Sequence, residues 1–349
     1  MISNKKNIQK IFMSITLIFC CQCVFAQTKI TVEEIKQINA QLFCLTTPTD
    51  TIEFTKSDTI NRKKPLFLFI QGSLPKPIIE DNGDNDYYLV GFNFYVNILK
   101  GFNVIEIAMP STPAIAKHKD LDNQGSYVKS EKPYDYDKTY MKRNVIETYV
   151  ERANVVIDYL LQQDWIDNDS VFVFGHSQGA FVAARLASEN ENVTAVGFSS
   201  ANPFGRYAGM MQETRAKAIT GQITEEQAQK QINNYWSYWN YYCYATDIPN
   251  DYIGDLPATW KSFSQSVAEI LANLKQPLFV VYGTKDYHSV ACELLPIYFG
   301  FSEKTNYKLH PMLGRGHNFE SFDENGNPNW NDMKWQDVTI EFIKFVRNK

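Results

Sequence analysis

Residues 171–187 read VFVFGHSQGAFVAARLA, and this stretch decides how the surrounding chain folds. Its first four residues are wholly apolar, which is typical of a short strand buried on both faces of a sheet. Its last eight residues have a helical pattern. Between them, glycine stands on either side of the serine in Gly175-His176-Ser177-Gln178-Gly179 and permits a sharp turn without backbone collisions. The stretch predicts a strand, a tight turn that exposes Ser177, and a helix.

Short apolar runs of the same character recur along the chain. They cover residues 66–70, 104–108, 195–198 and 278–282, with Glu106 as the one charged exception. Between them lie helical patterns, the clearest at 145–161, where apolar residues return at the spacing of one helix face. Strands that alternate with helices predict crossover connections and a doubly wound, mostly parallel α/β sheet. Residues 42–55 add a hairpin ahead of this sheet.

One region interrupts this alternation. Residues 202–273 contain two or more helical patterns without an intervening strand. Thr224 and Gln227 have the spacing of a helix capping box. We therefore expect a helical cap, inserted into a single domain.

The predicted cap is rich in aromatic residues. Seven of the ten residues at 235–244 are aromatic. Trp236, Trp239 and Tyr242 are candidates to line a substrate pocket. The alternative is that these rings pack the cap onto the body.

The bulk composition is that of an ordinary globular protein. The 349 residues are 44% hydrophobic and 21% charged, which suits one large domain or two small ones. The formal net charge is −5. An acidic protein without a basic stripe repels phosphate backbones and anionic bilayers. We therefore expect no nucleic acid partner and a small neutral substrate.

The first 26 residues predict a cleaved export signal. Lysines at positions 5, 6 and 10 precede an apolar run at 11–19, and small residues Val24 and Ala26 precede Gln27. The mature domain, residues 27–349, is then exported to the periplasm or the exterior, and the loss of three lysines takes its formal net charge to −8. Lipidation at Cys20 is the alternative. No later run reaches the ~18 apolar residues of a membrane span.

The spacing of cysteine and histidine predicts neither a disulfide framework nor a metal site. Three of the six cysteines lie within the export signal, so the mature chain can form at most one disulfide. His118, His288 and His310 lack the spacing of metal ligands. We expect no metal and no cofactor.

Two further motifs complete a pattern that begins at Ser177. Asp286 ends the sequence GTKD, directly after the apolar run 278–282, and His317 lies in GRGHNF near the end of the chain. With these motifs the chain resembles the α/β-hydrolase superfamily, in the broad group of dienelactone-hydrolase-like enzymes and related esterases and peptidases. The resemblance covers residues 64–349. It implies Ser177 as the nucleophile, Asp286 as the acid and His317 as the base, in the chain order of the family.

Two neighbouring residues have alternative interpretations. Glu293 is the nearest alternative to Asp286 as the acid. His176 is interpreted as a packing residue, because Ser177 beside it occupies the apex of the turn.

The resemblance also implies two backbone N–H groups that stabilise negative charge on a substrate oxygen. One belongs to Gln178, which follows the serine. The other belongs to Ser73, with Leu74 as the alternative, in the loop that leaves the run 66–70. In this loop Gln71 stands where the family usually has histidine.

These residues predict an exported serine hydrolase that cleaves a small-molecule carboxylic ester through an acyl-enzyme on Ser177. A serine exopeptidase of the same fold is the close alternative. Such enzymes commonly carry a large N-terminal domain, and only about forty residues separate Gln27 from the first core strand. A catalytically silent binding protein is the alternative from another class, and it would lack part of the set formed by Ser177, Asp286 and His317.

Overall fold

The computed structural model of the protein describes residues 29–84, 86–90, 98–130, 132, 134–244 and 254–347. The predicted export signal, with Cys20, lies outside these residues. Residues 245–253, within the predicted cap, lie outside them as well.

Most strands of the described residues belong to one large sheet. The strands are β1 (Lys29–Ile35), β2 (Ala40–Thr46), β3 (Thr51–Ser57), β4 (Lys64–Ile70), β5 (Ile79–Asp81), β6 (Tyr87–Leu89), β7 (Asn103–Ile107), β8 (Ile115–Lys117), β9 (Ile166–His176), β10 (Ala195–Ser199), β11 (Leu278–Gly283), β12 (Tyr307–Met312), β13 (Glu320–Phe322) and β14 (Pro328–Met333). The large sheet has nine strands in the order β1-β2-β3-β7-β4-β9-β10-β11-β12. β5, β6 and β8 form a small separate sheet, and β13 pairs with β14.

The direction of the strands confirms the predicted sheet. From β7 to β12 along this order the neighbouring strands are parallel, whereas β1, β2 and β3 pair antiparallel at one edge. The five predicted apolar runs all lie in parallel strands, and the predicted hairpin at 42–55 corresponds to β2 and β3. The fold is a doubly wound, mostly parallel α/β sheet of the α/β-hydrolase type.

Helices cover both faces of this sheet. The α-helices of the described residues are α1 (Lys138–Arg143), α2 (Ile146–Leu160), α3 (Gln178–Glu189), α4 (Arg206–Ile219), α5 (Glu225–Tyr244), α6 (Pro257–Phe263), α7 (Ala268–Asn273), α8 (Leu295–Phe301) and α9 (Trp335–Arg347). Leu66 and Leu68 of β4 belong to the core that contains α2 and α3, whereas the alternate residues Phe67 and Phe69 pack with α9. Burial on both faces explains why these strands are apolar throughout.

The predicted cap lies between β10 and β11, where α4 to α7 follow one another. The capping box begins α5: the Gln227 N–H donates to Thr224 Oγ1 at 3.2 Å, and the Thr224 N–H donates to Gln227 Oε1 at 2.8 Å. α4 and α5 pack against each other. α7 instead packs against α3 and α8, and its Leu271 is buried in the main core. The last helix of the range 202–273 thus lies in the helical layer on the sheet.

Two properties of the described ranges bear on anchoring and on covalent stabilisation. None of their helices is long and apolar enough to cross a membrane. Their three cysteines, Cys44, Cys243 and Cys292, are free thiols. No disulfide therefore stabilises this part of the chain.

Candidate active site

Ser177 lies at the sharp turn between β9 and α3. Its backbone has φ 54° and ψ −121°, a conformation that costs a non-glycine residue roughly 1–3 kcal/mol. A Cβ on Gly175 would lie 2.1 Å from the Gly179 carbonyl oxygen, and one on Gly179 would lie 2.1 Å from that of Ile70. Only glycine fits at both positions. The predicted turn is present, and it holds Ser177 at the carboxyl end of β9.

The structure brings Ser177, Asp286 and His317 together. His317 Nε2 lies 3.0 Å from Ser177 Oγ, and His317 Nδ1 lies 2.8 Å from Asp286 Oδ2. The three residues follow β9, β11 and β12, which are parallel strands of one sheet. Their carboxyl ends share one edge, so residues far apart in sequence meet there. The arrangement is a hydrogen-bonded relay from a carboxylate through imidazole to a hydroxyl.

Asp286 is held in place by groups other than the histidine. The Ser289 hydroxyl donates to Asp286 Oδ2 at 2.6 Å, and the His288 N–H donates to Oδ1 at 3.2 Å. Burial raises the pKa of Asp286, but hydrogen bonds and charge from His317 and the Ser289 hydroxyl lower it by more, so the net pKa lies below its ordinary value. Asp286 is thus ionised at neutral pH. Ser289 was not predicted, although a serine three residues after the acid was the available signal.

Glu293, the alternative acid, lies elsewhere. It is exposed on a 3-10 helix (Val290–Leu294), and its Oε1 accepts a hydrogen bond from the Tyr282 hydroxyl at 3.4 Å. Asp286 is the carboxylate beside the imidazole ring because it leaves β11 at the edge where His317 also lies.

His176 packs beneath the relay. Its Nδ1 lies 3.0 Å from Ser199 Oγ, and its Nε2 lies 3.2 Å from Asn318 Oδ1. Its ring lies edge-on to that of Trp335, with ring centroids 4.6 Å apart. Burial, with the nearby charge of His317, lowers the pKa of His176 to about 3. A neutral ring with partners on both nitrogens suits the packing role that its position predicts.

The two candidate donors for a substrate oxygen border the serine from different elements. Gln178 begins α3, so its N–H lies at the positive end of the helix dipole. Two cavities border Ser177, one on the side of the cap and one on the other side. Ser73 lines both of them, and Leu74 lines the second. The Tyr140 hydroxyl donates to the Ser73 carbonyl oxygen at 2.9 Å, and the Gln71 side chain donates to the Lys76 carbonyl oxygen at 3.2 Å. These bonds hold the loop although it lacks the histidine of the family.

A ring of side chains ties Gln178 to the cap. The Gln178 amide donates to Asn144 Oδ1 at 2.9 Å, and the Asn144 amide donates to Asp255 Oδ1 at 2.9 Å. Arg206 closes the ring, because it donates to Asp255 Oδ2 at 2.7 Å and to the side-chain oxygen Oε1 of Gln178. Sequence reasoning missed this ring, since its members come from four separate segments and share no local motif. The ring can fix the orientation of Gln178.

We expect Asp255→Asn to lower kcat/KM about tenfold, which matches the loss of roughly 1.4 kcal/mol of a hydrogen bond between charged groups. Without the carboxylate, Arg206 loses its ion pair and no longer holds the Gln178 side chain. Glu225→Gln is the matched control, because Glu225 of α5 pairs at 3.1 Å with Arg215, which lies on the same helix as Arg206, and neither Glu225 nor Arg215 lines the cavity beside Ser177. The measurement is kcat/KM with melting temperature on both variants. Equal activity in the two variants would contradict a positioning role for the ring.

The cavity on the cap side of Ser177 combines charged side chains with aromatic rings. It has a volume of about 500 Å³. Its charged lining residues are Arg206, Glu213, Asp255, Lys285, Asp286 and Glu320. Four carboxylates thus face two cations. The electrostatic potential of such a lining disfavours anionic groups.

None of the three cap aromatics predicted to line a substrate pocket is among the described residues around this cavity. Trp236 is 51% exposed, Trp239 packs on Tyr207 with ring centroids 5.2 Å apart, and Tyr242 is buried at 8% exposure. Tyr242 stacks on Trp260 at 5.8 Å, and Trp260 is the ring that borders the cavity. Trp239 and Tyr242 therefore pack within the cap, while Trp236 is exposed and Trp260 of α6 borders the cavity.

The chain has been compared with known proteins. No family model and no curated sequence matches it. Among solved structures it is similar to DcsB in complex with its substrate analogue, at 15% identity and a TM-score of 0.49, over 92% of this chain and 99% of that one. It is also similar to acetyl xylan esterase 1 from Thermoanaerobacterium sp. JW/SL YS485, at 13% identity and a TM-score of 0.46, over 90% of this chain and 87% of that one.

A third similar structure is the acylaminoacyl peptidase of Pyrococcus horikoshii. The identity is 13% and the TM-score 0.47, over 84% of this chain and 39% of that one. Likeness at such identities concerns the fold alone. The substrate must be inferred from the site.

Proposed function

This chain has the fold of the α/β-hydrolase superfamily, and we propose that it is an exported serine hydrolase that cleaves small-molecule carboxylic esters through an acyl-enzyme on Ser177. The proposal is supported chiefly by the relay in which Asp286 and Ser177 lie 2.8 and 3.0 Å from the two nitrogens of His317. An intact relay argues against a silent binding protein. Export is supported by the pattern of charged, apolar and small residues at 1–26.

The first half of the reaction forms the acyl-enzyme. Ser177 Oγ attacks the ester carbonyl carbon while its proton passes to His317 Nε2. The carbonyl oxygen becomes an oxyanion, which the N–H groups of Gln178 and Ser73 stabilise. When the carbon–oxygen bond to the alcohol breaks, His317 returns the proton to the departing oxygen. Asp286 stays ionised throughout and stabilises the imidazolium.

The second half releases the acid. A water molecule attacks the acyl carbon, and His317 takes its proton. The bond to Ser177 Oγ then breaks, His317 reprotonates the serine, and the carboxylic acid leaves. The same groups serve both halves, so no further acid or base is required.

A fluorophosphonate probe with peptide mapping tests the proposal. We expect a single phosphonylated residue, Ser177, and turnover of short-chain, aryl and sugar acetate esters. The label should disappear when Ser177 is replaced. A label on another residue would remove the basis of the proposed function, and a labelled enzyme that cleaves peptides but no ester would favour the exopeptidase.

The pH dependence of kcat/KM should have an acid limb with its midpoint above the ordinary imidazole value of 6.5. Burial lowers the pKa of His317, but the hydrogen bond and charge of Asp286 raise it by more, so the net shift is upward. The base must be neutral to accept the proton, so activity is lost as pH falls through this pKa. Rates on an uncharged acetate ester, taken from about two pH units below to about two units above the ordinary value, determine the midpoint. A midpoint below 6.5 would contradict the geometry of the relay.

A further inference from the structure

A β-hairpin directly follows His317 and presents large apolar side chains beside the serine. It consists of β13 and β14 and is called here the 320–333 hairpin. Trp330 is 54% exposed and Met333 is 40% exposed. Exposed side chains of this size near a nucleophile are candidates for substrate contact. The sequence predicted such contacts from the cap rather than from this hairpin.

The hairpin is anchored to the segment that carries His317. Arg315 donates to Asp332 Oδ2 at 2.7 Å and to the Asp332 carbonyl oxygen at 2.9 Å. At the turn, the N–H groups of Asn325 and Asn327 donate to Asp323 Oδ1 at 2.9 and 2.8 Å. These bonds therefore hold the hairpin in a fixed position relative to His317, the catalytic base of the proposed reaction.

A second cavity lies between this hairpin and the loop at residues 71–74. It has a volume of about 480 Å³, and both Ser177 and His317 border it. Its large apolar lining residues are Phe69, Leu74, Trp330, Met333 and Trp335. Trp335 is fixed by edge-on contacts with the rings of His176 and Phe319, whose centroids lie 4.6 and 4.9 Å away. This side of the serine thus has apolar walls, of which Trp335 is held by its ring contacts.

The polar groups of this cavity are mostly engaged within the protein. Gln71 donates to the Lys76 carbonyl oxygen, and His176 lies within hydrogen-bond distance of Ser199 and Asn318. Among the described lining residues other than the relay histidine, Lys76 alone carries a charge. The cavity on the cap side contrasts with it, because six charged residues line that one. Ser177 therefore stands between a charged cavity and an apolar one.

We propose that the second cavity binds an apolar arm of the ester, an aliphatic or aryl group attached to either side of the scissile bond, and that Trp330 and Met333 determine the preference for it. This inference rests on the proposed function, since it assigns a substrate class to the same serine. Binding against these walls removes the apolar group from water. We therefore expect kcat/KM to rise about fourfold for each methylene that is buried, the equivalent of ~0.8 kcal/mol.

The test compares Trp330→Ala and Met333→Ala with wild type on two ester series. One series lengthens the acyl chain of p-nitrophenyl esters from acetate to octanoate. The other keeps acetate and lengthens the alcohol from methyl to hexyl and benzyl. For wild type, kcat/KM should rise with chain length in one of the two series. In that series kcat/KM of the two variants should fall roughly 10- to 100-fold on the longest esters and least on the shortest. The series that responds identifies which side of the ester occupies the cavity.

Trp236→Ala is the matched control, because this tryptophan is exposed to nearly the same extent, 51% against 54%, but lies on α5 away from both cavities. It should retain the wild-type dependence on length. Met333→Trp adds the opposite change: the larger ring fills the cavity, so the longest esters should become the poorest substrates.

Two results would overturn the inference. One is a dependence on length that is the same in wild type, Trp330→Ala and Met333→Ala in both series. The other is a loss of that dependence in Trp236→Ala as large as in Trp330→Ala. Fluorophosphonate labelling of every variant separates these results from failure of the proposed function, which would appear as an unlabelled Ser177 in the wild type. Melting temperatures identify a variant that has lost its fold. If an alanine variant has lost it, the rates of Met333→Trp on the longest esters test the inference instead.

Discussion

Ser177→Ala is expected to lower kcat for ester hydrolysis by at least ~10³-fold, because it removes the atom that forms the acyl-enzyme. Ser177 Oγ is the group that faces His317 Nε2 at 3.0 Å, and alanine leaves the base with nothing to deprotonate. The measurement is the release of alcohol from an acetate ester by purified variant and wild type, with fluorophosphonate labelling of both. Wild-type turnover by a clean preparation of the variant would remove Ser177 from the mechanism.

Ser177→Gly provides the structural control for this experiment. Alanine keeps the Cβ and with it the strain of the positive φ of 54°. Glycine adopts this conformation freely and should be the more stable variant, since strain of roughly 1–3 kcal/mol exceeds the ~0.5–1 kcal/mol that glycine costs in chain entropy. Both variants should be inactive. A melting temperature higher in Ser177→Gly than in Ser177→Ala would show that a side chain at position 177 strains the backbone of the turn.

Asp286→Asn is expected to lower kcat by up to ~10⁴-fold with little change in structure. The carboxylate accepts a hydrogen bond from His317 Nδ1 at 2.8 Å and stabilises the imidazolium that forms when Ser177 is deprotonated. An amide can instead donate to Nδ1, which favours the tautomer whose Nε2 carries a proton and cannot act as a base. The acid limb of the pH profile should also move to lower pH, because the group that raises the pKa of His317 is lost.

Glu293→Gln is the matched control for Asp286→Asn. Both residues follow β11, but Glu293 is exposed and pairs with the Tyr282 hydroxyl. Glu293→Gln should keep wild-type kcat. Full activity in Asp286→Asn together with loss of activity in Glu293→Gln would show that Glu293, and not Asp286, is the acid.

Several features of the molecule were predictable from short-range patterns. The apolar runs predicted the parallel strands, because a strand buried on both faces has no polar side to show. The two glycines around Ser177 predicted the turn, because a Cβ at either position would lie 2.1 Å from a carbonyl oxygen. Asp286 was predictable because it follows an apolar run, and His317 because GRGHNF stands where the superfamily that the chain resembles has its histidine.

Other features depend on contacts between segments that no local pattern relates. The ring of Gln178, Asn144, Asp255 and Arg206 joins residues as much as 111 positions apart. The orientation of α5 was unpredictable for a related reason, since aromatic residues occupy every side of its last turns and helical spacing cannot say which side faces the body.

By itself, the sequence of this protein determined the apolar strands and the serine turn, because each depends on a few adjacent residues. Its motifs also predicted the three residues of the relay, through their resemblance to a known superfamily. Only the tertiary structure decided which walls surround the serine. It placed Trp260 of α6 between the cavity and the rings of α5, and it placed Trp330 and Met333 beside Ser177. Cavity walls form where distant segments pack, and the packing of a cap or hairpin is set by the whole surface it meets rather than by its own sequence.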